Sequence, residues 1–361
     1  MKIKLLRIDN CRIISHCSIE PSAKFNLISG PNGSGKSSLL EAISILGTGR
    51  SFRSKSVIPI VKKECDSLIV SATIEESRGF LHSIGIERGK NVQKLHLNHN
   101  PAQKLSQVAE YLPIQIITPE SIDLVLGAPK GRRSFIDWGL FHVEPQYLLL
   151  TQKYQKLIKQ RNALLRGKVY EDSELDYWTQ ELAKIGEEIN QCREGYLDEL
   201  LEHFSNVATD LLNMINNLSV SFEFKRGWKR SNTLYQSLCE NLQRDKTVGY
   251  TSMGPHEADL IIIADRARAR QHLSRGQAKL LSIFLYLVQI SHLNQKRGKR
   301  AVVLVDDLFS ELDNDNAVAI YDYLKESDHQ VFCTAVTIEY SSNSCDKAKM
   351  FHVEHGNITP V

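Results

Sequence analysis

FNLISGPNGSGKSSLLEAISIL, residues 25–46, decides how the rest of the chain is read. FNLIS (25–29) is a short apolar strand that stops at Gly30, and KSSLLEAISIL (36–46) reads as a helix. Between them Gly30, Pro31, Asn32, Gly33, Ser34, Gly35, Lys36 and Ser37 match the pattern G-x-x-x-x-G-K-[ST] in full. Glycines let the backbone fold so that successive N–H groups point into one cavity, and the helix N-terminus adds further donors. Such a cradle suits a polyphosphate. Lys36 would reach the β- and γ-phosphates, and the Ser37 hydroxyl would hold Mg²⁺. Chance alone would produce the pattern in a chain of this length about once in a hundred. A strand before it and a helix after it weigh further against chance.

Two other segments belong to the same chemistry. Val302-Val303-Leu304-Val305-Asp306-Asp307 is an apolar strand that ends in two carboxylates. Mg²⁺ takes oxygen ligands, commonly one or two carboxylates together with phosphates. Asp306 is the natural partner for it, and Asp307 could polarise an attacking water. Further upstream, Leu273-Ser274-Arg275-Gly276-Gln277 opens an apolar helix. A Ser-Arg-Gly turn at a helix N-terminus is a second place for an anion, and a plain cap by Ser274 is compatible with it.

Together these segments resemble P-loop ATPases of the ABC type, whose signature is Leu-Ser-x-Gly-Gln followed by the acidic strand and then a D-loop, here Ser310-Glu311-Leu312-Asp313. The resemblance implies that ATP and Mg²⁺ are the cofactors. It also implies that Ser274, Gly276 and Gln277 cap the γ-phosphate held by the loop of a second subunit, so that ATP glues a two-fold homodimer.

Bulk composition narrows the class. The chain has 361 residues, 42% hydrophobic and 24% charged, which suits a soluble globular protein able to bury a core. With a net charge of only +3, a nucleic-acid surface has to be a local patch. Seven scattered cysteines without a C-x-x-C pair predict neither a metal site nor a disulfide framework, and point to a reducing compartment. The start, MKIKLLRIDN, is too charged for a signal sequence, and no uncharged apolar run is long enough for a bilayer. A cytoplasmic protein without membrane contact is expected.

Along the chain, residues 2–8, 67–75, 82–88 and 94–102 read as strands, the last containing an Asn-His-Asn-Pro turn. Leu175, Trp178, Leu182, Ile185, Ile189, Cys192, Tyr196 and Leu200 then recur every three or four residues, and Phe204, Val207, Leu211, Met214 and Leu218 continue the stripe. That predicts one amphipathic helix on the order of 65 Å long. Leu150, Tyr154, Leu157, Arg161 and Leu164 form a partner stripe, with a turn over 166–173. Residues 146–218 thus predict an antiparallel helical hairpin, either extended or packed flat in a compact subdomain. Strands return at 259–265, 301–307 and 329–336, with a helix over 274–293. The fold class expected is α/β, a P-loop ABC-type ATPase head split in sequence by a helical insertion. The expected divisions are 1–130 (head with the phosphate loop), 131–245 (helical arm) and 246–361 (head with signature and acidic strand).

Further blocks resemble the RecF family. They are Asn32–Lys36, Leu39-Leu40-Glu41-Ala42-Ile43, and Leu46 through Arg53 (LGTGRSFR); Thr118-Pro119-Glu120 and Gly127 through Asp137 (GAPKGRRSFID); Gly254-Pro255-His256; and Leu304 through Asp313. They span nearly the whole chain. The resemblance implies an SMC-like ATPase that binds single- and double-stranded DNA at gaps and junctions. It would work with RecR and RecO proteins to help load a RecA-type recombinase in repair, replication restart and the SOS response. Two readings compete with it, the ATPase subunit of an ABC transporter and a DNA scaffold that binds ATP but hardly hydrolyses it. The long stretch between Lys36 and Ser274 suits the SMC-like branch better than a transporter subunit.

Departures from the pattern set further expectations. ABC ATPases usually place Glu after the acidic strand's Asp, whereas Asp307 is one methylene shorter. A misplacement of about 1 Å can cost on the order of a hundredfold in rate, so slow hydrolysis is expected. Glu257 follows the Gly-Pro-His block where a basic residue is frequent, which argues against a DNA grip there. No histidine occupies the usual switch position after strand 329–336, leaving Thr334 or Thr337 as substitutes, and Gln115 is either a Q-loop residue or an ordinary strand residue. Candidate DNA patches are Arg50, Arg53 and Lys55; Lys130, Arg132 and Arg133; Arg266, Arg268 and Arg270; and Lys156, Lys159, Arg161 and Arg166.

Overall fold

Strands with no polar alternation belong inside a sheet covered on both faces. Phe25–Ser29, Val302–Val305 and Gln330–Ala335 are buried at every position, and they lie side by side in a parallel sheet. The structure is a computed structural model that describes residues 1–361 except 55, 57, 77, 168–171, 214–217, 308–311 and 336–347, and only the backbone of 208–213 and 314. Contacts divide the chain into two units, Met1–Ser121 with Leu293–Val361, and Ile122–His292.

The first unit holds two sheets. The parallel one has the order Asn357–Pro360, Ala348–Glu354, Phe25–Ser29, Gln330–Ala335, Val302–Val305, Ile114–Ile117, with the first of these antiparallel at the edge. The second sheet is antiparallel, ordered Ile14–Ile19, Lys2–Cys11, Ser67–Glu75, Leu81–Gly89, Gln93–Leu97, Asn100–Pro101. It shows the buried-and-open alternation of a sheet with one wet face, as along Ser67–Glu75. The helix Lys36–Thr48 joins one core with both sheets, through Leu39, Leu40, Ile43 and Leu46. Its apolar surface is accordingly almost continuous rather than a stripe.

Strand register gathers the chemistry. Val305 pairs with Cys333, which pairs with Leu27, and Ala335 pairs with Ser29. The carboxyl ends of these strands therefore bring Gly30, Asp306 and Thr334 to one edge, where open α/β sheets bind ligands. The edge hairpin 348–360 was not foreseen. It turns at His355 and Gly356, both at positive φ (47° and 82°), as a two-residue primed turn requires.

In the second unit the helix Asp172–Asn213 runs 42 residues, about 63 Å at 1.5 Å per residue, and packs on Tyr147–Arg166. Tyr147 meets Arg193 and Arg161 meets Thr179, so the two helices are antiparallel. The pair is packed within a compact unit, against Pro129–Val143 and Leu234–Glu240. Residues 246–292 group with these helices, because Asp259–Ala264 pairs with Val220–Lys225 rather than with a strand of the parallel sheet.

Arg161 is corrected as a DNA candidate. Its side chain is 0% exposed and its Nη1 donates to Asp245 Oδ2 at 2.7 Å and to Thr251 Oγ1 at 2.8 Å. Its place in the apolar stripe was the informative sign. Arg132 is corrected likewise: it is buried and donates through Nε and Nη2 to Asp259, at 2.7 and 3.2 Å. A buried guanidinium committed to a carboxylate is not free to release counterions from a duplex.

Candidate functional site

The phosphate loop is shaped by backbone that side chains would forbid. Gly30, Gly33 and Gly35 have φ of 149°, 78° and 118°. A Cβ on Gly30 would lie 2.2 Å from the Val353 carbonyl oxygen. Gly356 N–H donates to Ser34 O at 2.9 Å, so the edge hairpin braces the loop from behind. That brace was missed because its two sides lie over three hundred residues apart. Gly35 then caps the helix Lys36–Thr48, whose first N–H groups open toward the loop.

Around the loop lies a cavity of about 360 Å³ lined by Asn32, Gly33, Gly35, Lys36, Ser37 and Ser38, by Arg12, Ile13 and Arg53, and by Asp306, Asp307, Thr334 and Ala335. Ser37 Oγ donates to Asp306 Oδ1 at 2.9 Å. Thr334 Oγ1 donates to the same oxygen at 2.9 Å and accepts from Asp307 N–H at 2.8 Å. Thr334 therefore fixes both aspartates; its partner as a candidate switch residue, Thr337, lies outside the described residues. Asp307 has φ 52°, a left-handed conformation that Asp tolerates better than most residues. Lys36 Nζ donates to Gly30 O at 2.6 Å and Pro31 O at 3.0 Å, which holds the ammonium over the loop.

Electrostatics match this geometry. Burial raises the Asp306 carboxyl pKa, opposed by its hydrogen bonds to Thr334 and Ser37 and by the charge of Arg53. Burial also lowers the Lys36 ammonium pKa, opposed by Asp307 and Asp306. A carboxylate and a hydroxyl side by side are hard oxygen donors of the kind Mg²⁺ prefers. Among the described residues no group of three or more His, Cys, Asp or Glu could hold a metal ion.

Arg12 and Glu41 were not singled out by sequence as a pair. Glu41 is fully buried in the loop's own helix, and Arg12 holds it through Nε and through Nη2 at 2.9 Å. Ser51 Oγ donates to the same carboxylate. No local pattern links positions 12, 41 and 51, so only the fold reveals them. A larger hollow of about 490 Å³ lies against strands of the antiparallel sheet, lined by Arg7, Thr73, Ser83 and His96 among others. It has neither a helix N-terminus nor a glycine loop, and size alone does not make a phosphate site.

Other candidates fall elsewhere. Gln115 sits inside strand Ile114–Ile117, is 6% exposed, and is not on the cavity wall. In the second unit, Ser274 caps the helix Arg275–Arg297: its Oγ accepts from Gln277 N–H at 3.2 Å, and Gln277 Oε1 accepts from Ser274 N–H at 3.0 Å. A Cβ on Gly276 would meet nothing within 4 Å, so nothing in its own surroundings demands glycine there. His256 accepts from Tyr154 OH at Nδ1 (2.8 Å) and donates from Nε2 to Thr251 O (3.0 Å), so both ring nitrogens of the Gly-Pro-His block are engaged within the unit. Of the D-loop segment, Ser310 and Glu311 lie outside the described residues, while Asp313 caps the helix Asn314–Glu326. Lys130, Lys156, Lys159 and Arg166 are exposed, as are Arg266, Arg268 and Arg270, whereas Lys55 lies outside the described residues. Arg133 donates to Ala258 O at 2.7 Å. No described helix is long and apolar enough to cross a membrane.

Comparison with known proteins points one way. Residues 2–359 match the family model described as the RecF/RecN/SMC N terminal domain. The chain is 40% identical to the DNA replication and repair protein RecF of Vibrio vulnificus and 39% identical to that of Aliivibrio fischeri, over 99% of each chain in both cases. A solved structure of the recombination mediator protein RecF with ATP, in the RecFOR pathway, superposes with TM-score 0.89 at 25% identity, covering 100% of this chain and 97% of that one. An SMC head bound to the C-terminal winged-helix domain of ScpA shares the fold, with TM-score 0.60 at 16% identity. Full-length similarity of this kind favours a RecF-like ATPase over the ATPase subunit of an ABC transporter.

Proposed function

Because the chain belongs to the RecF family of SMC-like ATPases, we propose that it is an ATP-dependent DNA-binding protein of recombinational repair and replication restart. The observation that carries this reading is the junction of Ser37, Asp306 and Thr334 beside Lys36, within one cavity at the phosphate loop. ATP seats its phosphates on the loop's N–H groups and on Lys36. Mg²⁺, with Ser37 and Asp306 as its protein ligands, would offset phosphate charge there. Ser274, Gly276 and Gln277 of a second copy cover the γ-phosphate, so ATP closes a homodimer and its hydrolysis opens it. The closed dimer binds gapped or junction DNA, engages RecR- and RecO-type proteins, and helps place a RecA-type recombinase on single strands.

The test is the affinity for gapped DNA with ATP and with ADP, across a range of salt. ATP is expected to tighten binding by at least about tenfold, with a log–log salt slope several units steep because backbone phosphates carry the contact. Equal affinity with both nucleotides would contradict the switch.

Hydrolysis serves as the release step and is slow, with Asp307 orienting water. Its left-handed backbone fixes where a short carboxylate reaches. In single-turnover measurements Asp307→Ala is expected to lower the rate on the order of a hundredfold, the low end for loss of a general base. Asp307→Glu is expected to raise it despite some backbone strain. Equal rates in all three proteins would remove Asp307 from the chemistry.

A further inference from the structure

Leu81–Gly89 is an inner strand of the antiparallel sheet, yet Gly85 sits in its middle. A glycine inside a strand weakens it, and marks a bulge, a bend or a place where something else comes close. Here the register runs unbroken on both sides, from Ser67↔Gly89 to Glu75↔Leu81 and from Ile84↔Leu97 to Arg88↔Gln93, so there is no bulge. Gly85 is not among the glycines at positive φ. A Cβ there would meet only the Ser71 Cβ, at 3.9 Å, which is an ordinary contact. Among the described residues nothing requires glycine at this position.

Gly85 lines the hollow of about 490 Å³ on this sheet. Residues paired across strands share a face. Arg7 lies opposite Ser71, Ser71 opposite Gly85 and Gly85 opposite His96, with Thr73 opposite Ser83 alongside. Three strand spacings, about 14 Å, therefore separate the Arg7 and His96 backbones, with only small residues between them. His99 lines the same hollow from a turn in which Asn98 and His99 have φ of 52° and 66°, and Asn98 Oδ1 accepts from Ser83 N–H at 3.1 Å. Among the described residues no side chain of Arg7, Ser71, Thr73, Ser83, His96 or His99 has a hydrogen bond or an ion pair. No described carboxylate lines the hollow. Those at alternate positions along the same strands are already matched, Asp9 by His16 at 2.6 Å, Glu75 by Lys4 at 3.6 Å and Glu87 by Lys94 at 3.0 Å.

We propose that this hollow seats one nucleotide of a single DNA strand. Arg7 takes the phosphate, the hydroxyls of Ser71, Thr73 and Ser83 face the sugar and base edges, and the imidazoles of His96 and His99 offer flat surfaces for the base. The bare backbone at Gly85 lets the ring come close to the sheet. An unmatched guanidinium with no carboxylate around it calls for an anionic ligand. Two aromatic rings and three unused hydroxyls favour a nucleotide over an acidic peptide, whose carboxylates would engage Arg7 alone. The base has to be unpaired, since a duplex keeps its base faces stacked. This rests on the DNA-binding reading above and gives the single-stranded part of a gap a place on the first unit.

The test is fluorescence anisotropy of a labelled oligothymidylate, with ATP and Mg²⁺ at several salt concentrations, on the full chain and its variants. Gly85→Thr fills the hollow with a residue that strands favour. It is expected to hold or raise the melting temperature and yet weaken single-strand binding by about tenfold or more. Arg7→Gln is expected to lower the log–log salt slope by about 0.7, the loss of one single-strand phosphate contact. His96→Ala is expected to weaken binding by about fivefold or more with the slope unchanged, because stacking releases no counterions. Arg7 is exposed, so its variant reads the site even if Gly85→Thr fails to fold. Wild-type affinity for the single strand in a well-folded Gly85→Thr, or an unchanged slope in Arg7→Gln, would overturn the seat. If the wild type and those variants then bind gapped duplex alike, the DNA-binding reading stands and its contacts lie elsewhere. Gly85→Thr that keeps the single strand but loses labelled polyglutamate would make the hollow a site for an acidic protein partner, against the proposal. No binding of single-stranded or gapped DNA by the wild type would remove the DNA-binding reading itself, and the seat with it.

Discussion

Lys36→Ala is expected to lower ATP turnover by on the order of a thousandfold. Lys36 is the one cation that the loop itself carries, and its ammonium is fixed over the loop by the Gly30 and Pro31 carbonyls. Charge that develops on a transferring phosphoryl group is stabilised by such preset donors, and losing one costs about 3–4 kcal/mol in a water-poor site. The loss should fall on turnover more than on folding. Burial already disfavours the charged ammonium, so an alanine there removes a desolvation cost along with two hydrogen bonds. Steady-state turnover and a thermal melt of the same preparation check both halves. A large loss of melting temperature would assign Lys36 to the loop's architecture; unchanged turnover would take it out of the reaction.

Ser274→Arg is expected to abolish ATP-driven association while leaving ATP binding to the loop within about threefold of wild type. The serine caps its helix through a reciprocal bond with Gln277, which is worth about 1 kcal/mol of local stability. That is too little to unfold the unit. The larger effect comes from the surface the helix end presents. Ser274 is exposed, and the space where a Gly276 side chain would sit is open, so an approaching phosphate can come close to the first-turn N–H groups. An arginine at that point fills the approach. Equilibrium dialysis with ATP and light scattering separate the two effects. Association that survives the substitution would show that this helix end does not meet the triphosphate.

Much of the first unit was legible because its determinants are local. The glycine positions of the phosphate loop, the strand that stops at Gly30 and the fully apolar strand before Asp306 each carry their signal within ten residues. The long helix was equally plain, since its stripe repeats without interruption. The hairpin 348–360 was passed over although His355-Gly356 sits where a two-residue turn needs positive φ. Its strand Ala348–Glu354 mixes Lys349 and His352 among apolar residues, and so does not look like the strand paired on both sides that it becomes. Arg161 shows the opposite failure. Charge suggested a surface, but its position in the stripe was decisive, and its partner Asp245 lies 84 residues away. Glu41 was read only as part of a family block. That it is buried, and that Arg12 and Ser51 hold it, follows from how a helix, a turn and a loop meet, which no spacing rule encodes.

The cavity brings the Asp306 carboxylate, the Ser37 hydroxyl and the Lys36 ammonium together, and the helix Arg275–Arg297 has an exposed serine at its N-terminus in another unit of the chain. The most direct measurement of their union is sedimentation velocity with saturating Mg²⁺ and either ADP or ATP, on the wild type, on Lys36→Ala, on Ser274→Arg and on an equal mixture of the two variants. The wild type should be monomeric with ADP and dimeric with ATP, each variant monomeric with both, and the mixture partly dimeric with ATP, since a mixed pair has one intact composite site. Monomers throughout, at high protein concentration and saturating ATP, would contradict a nucleotide clasped between two copies.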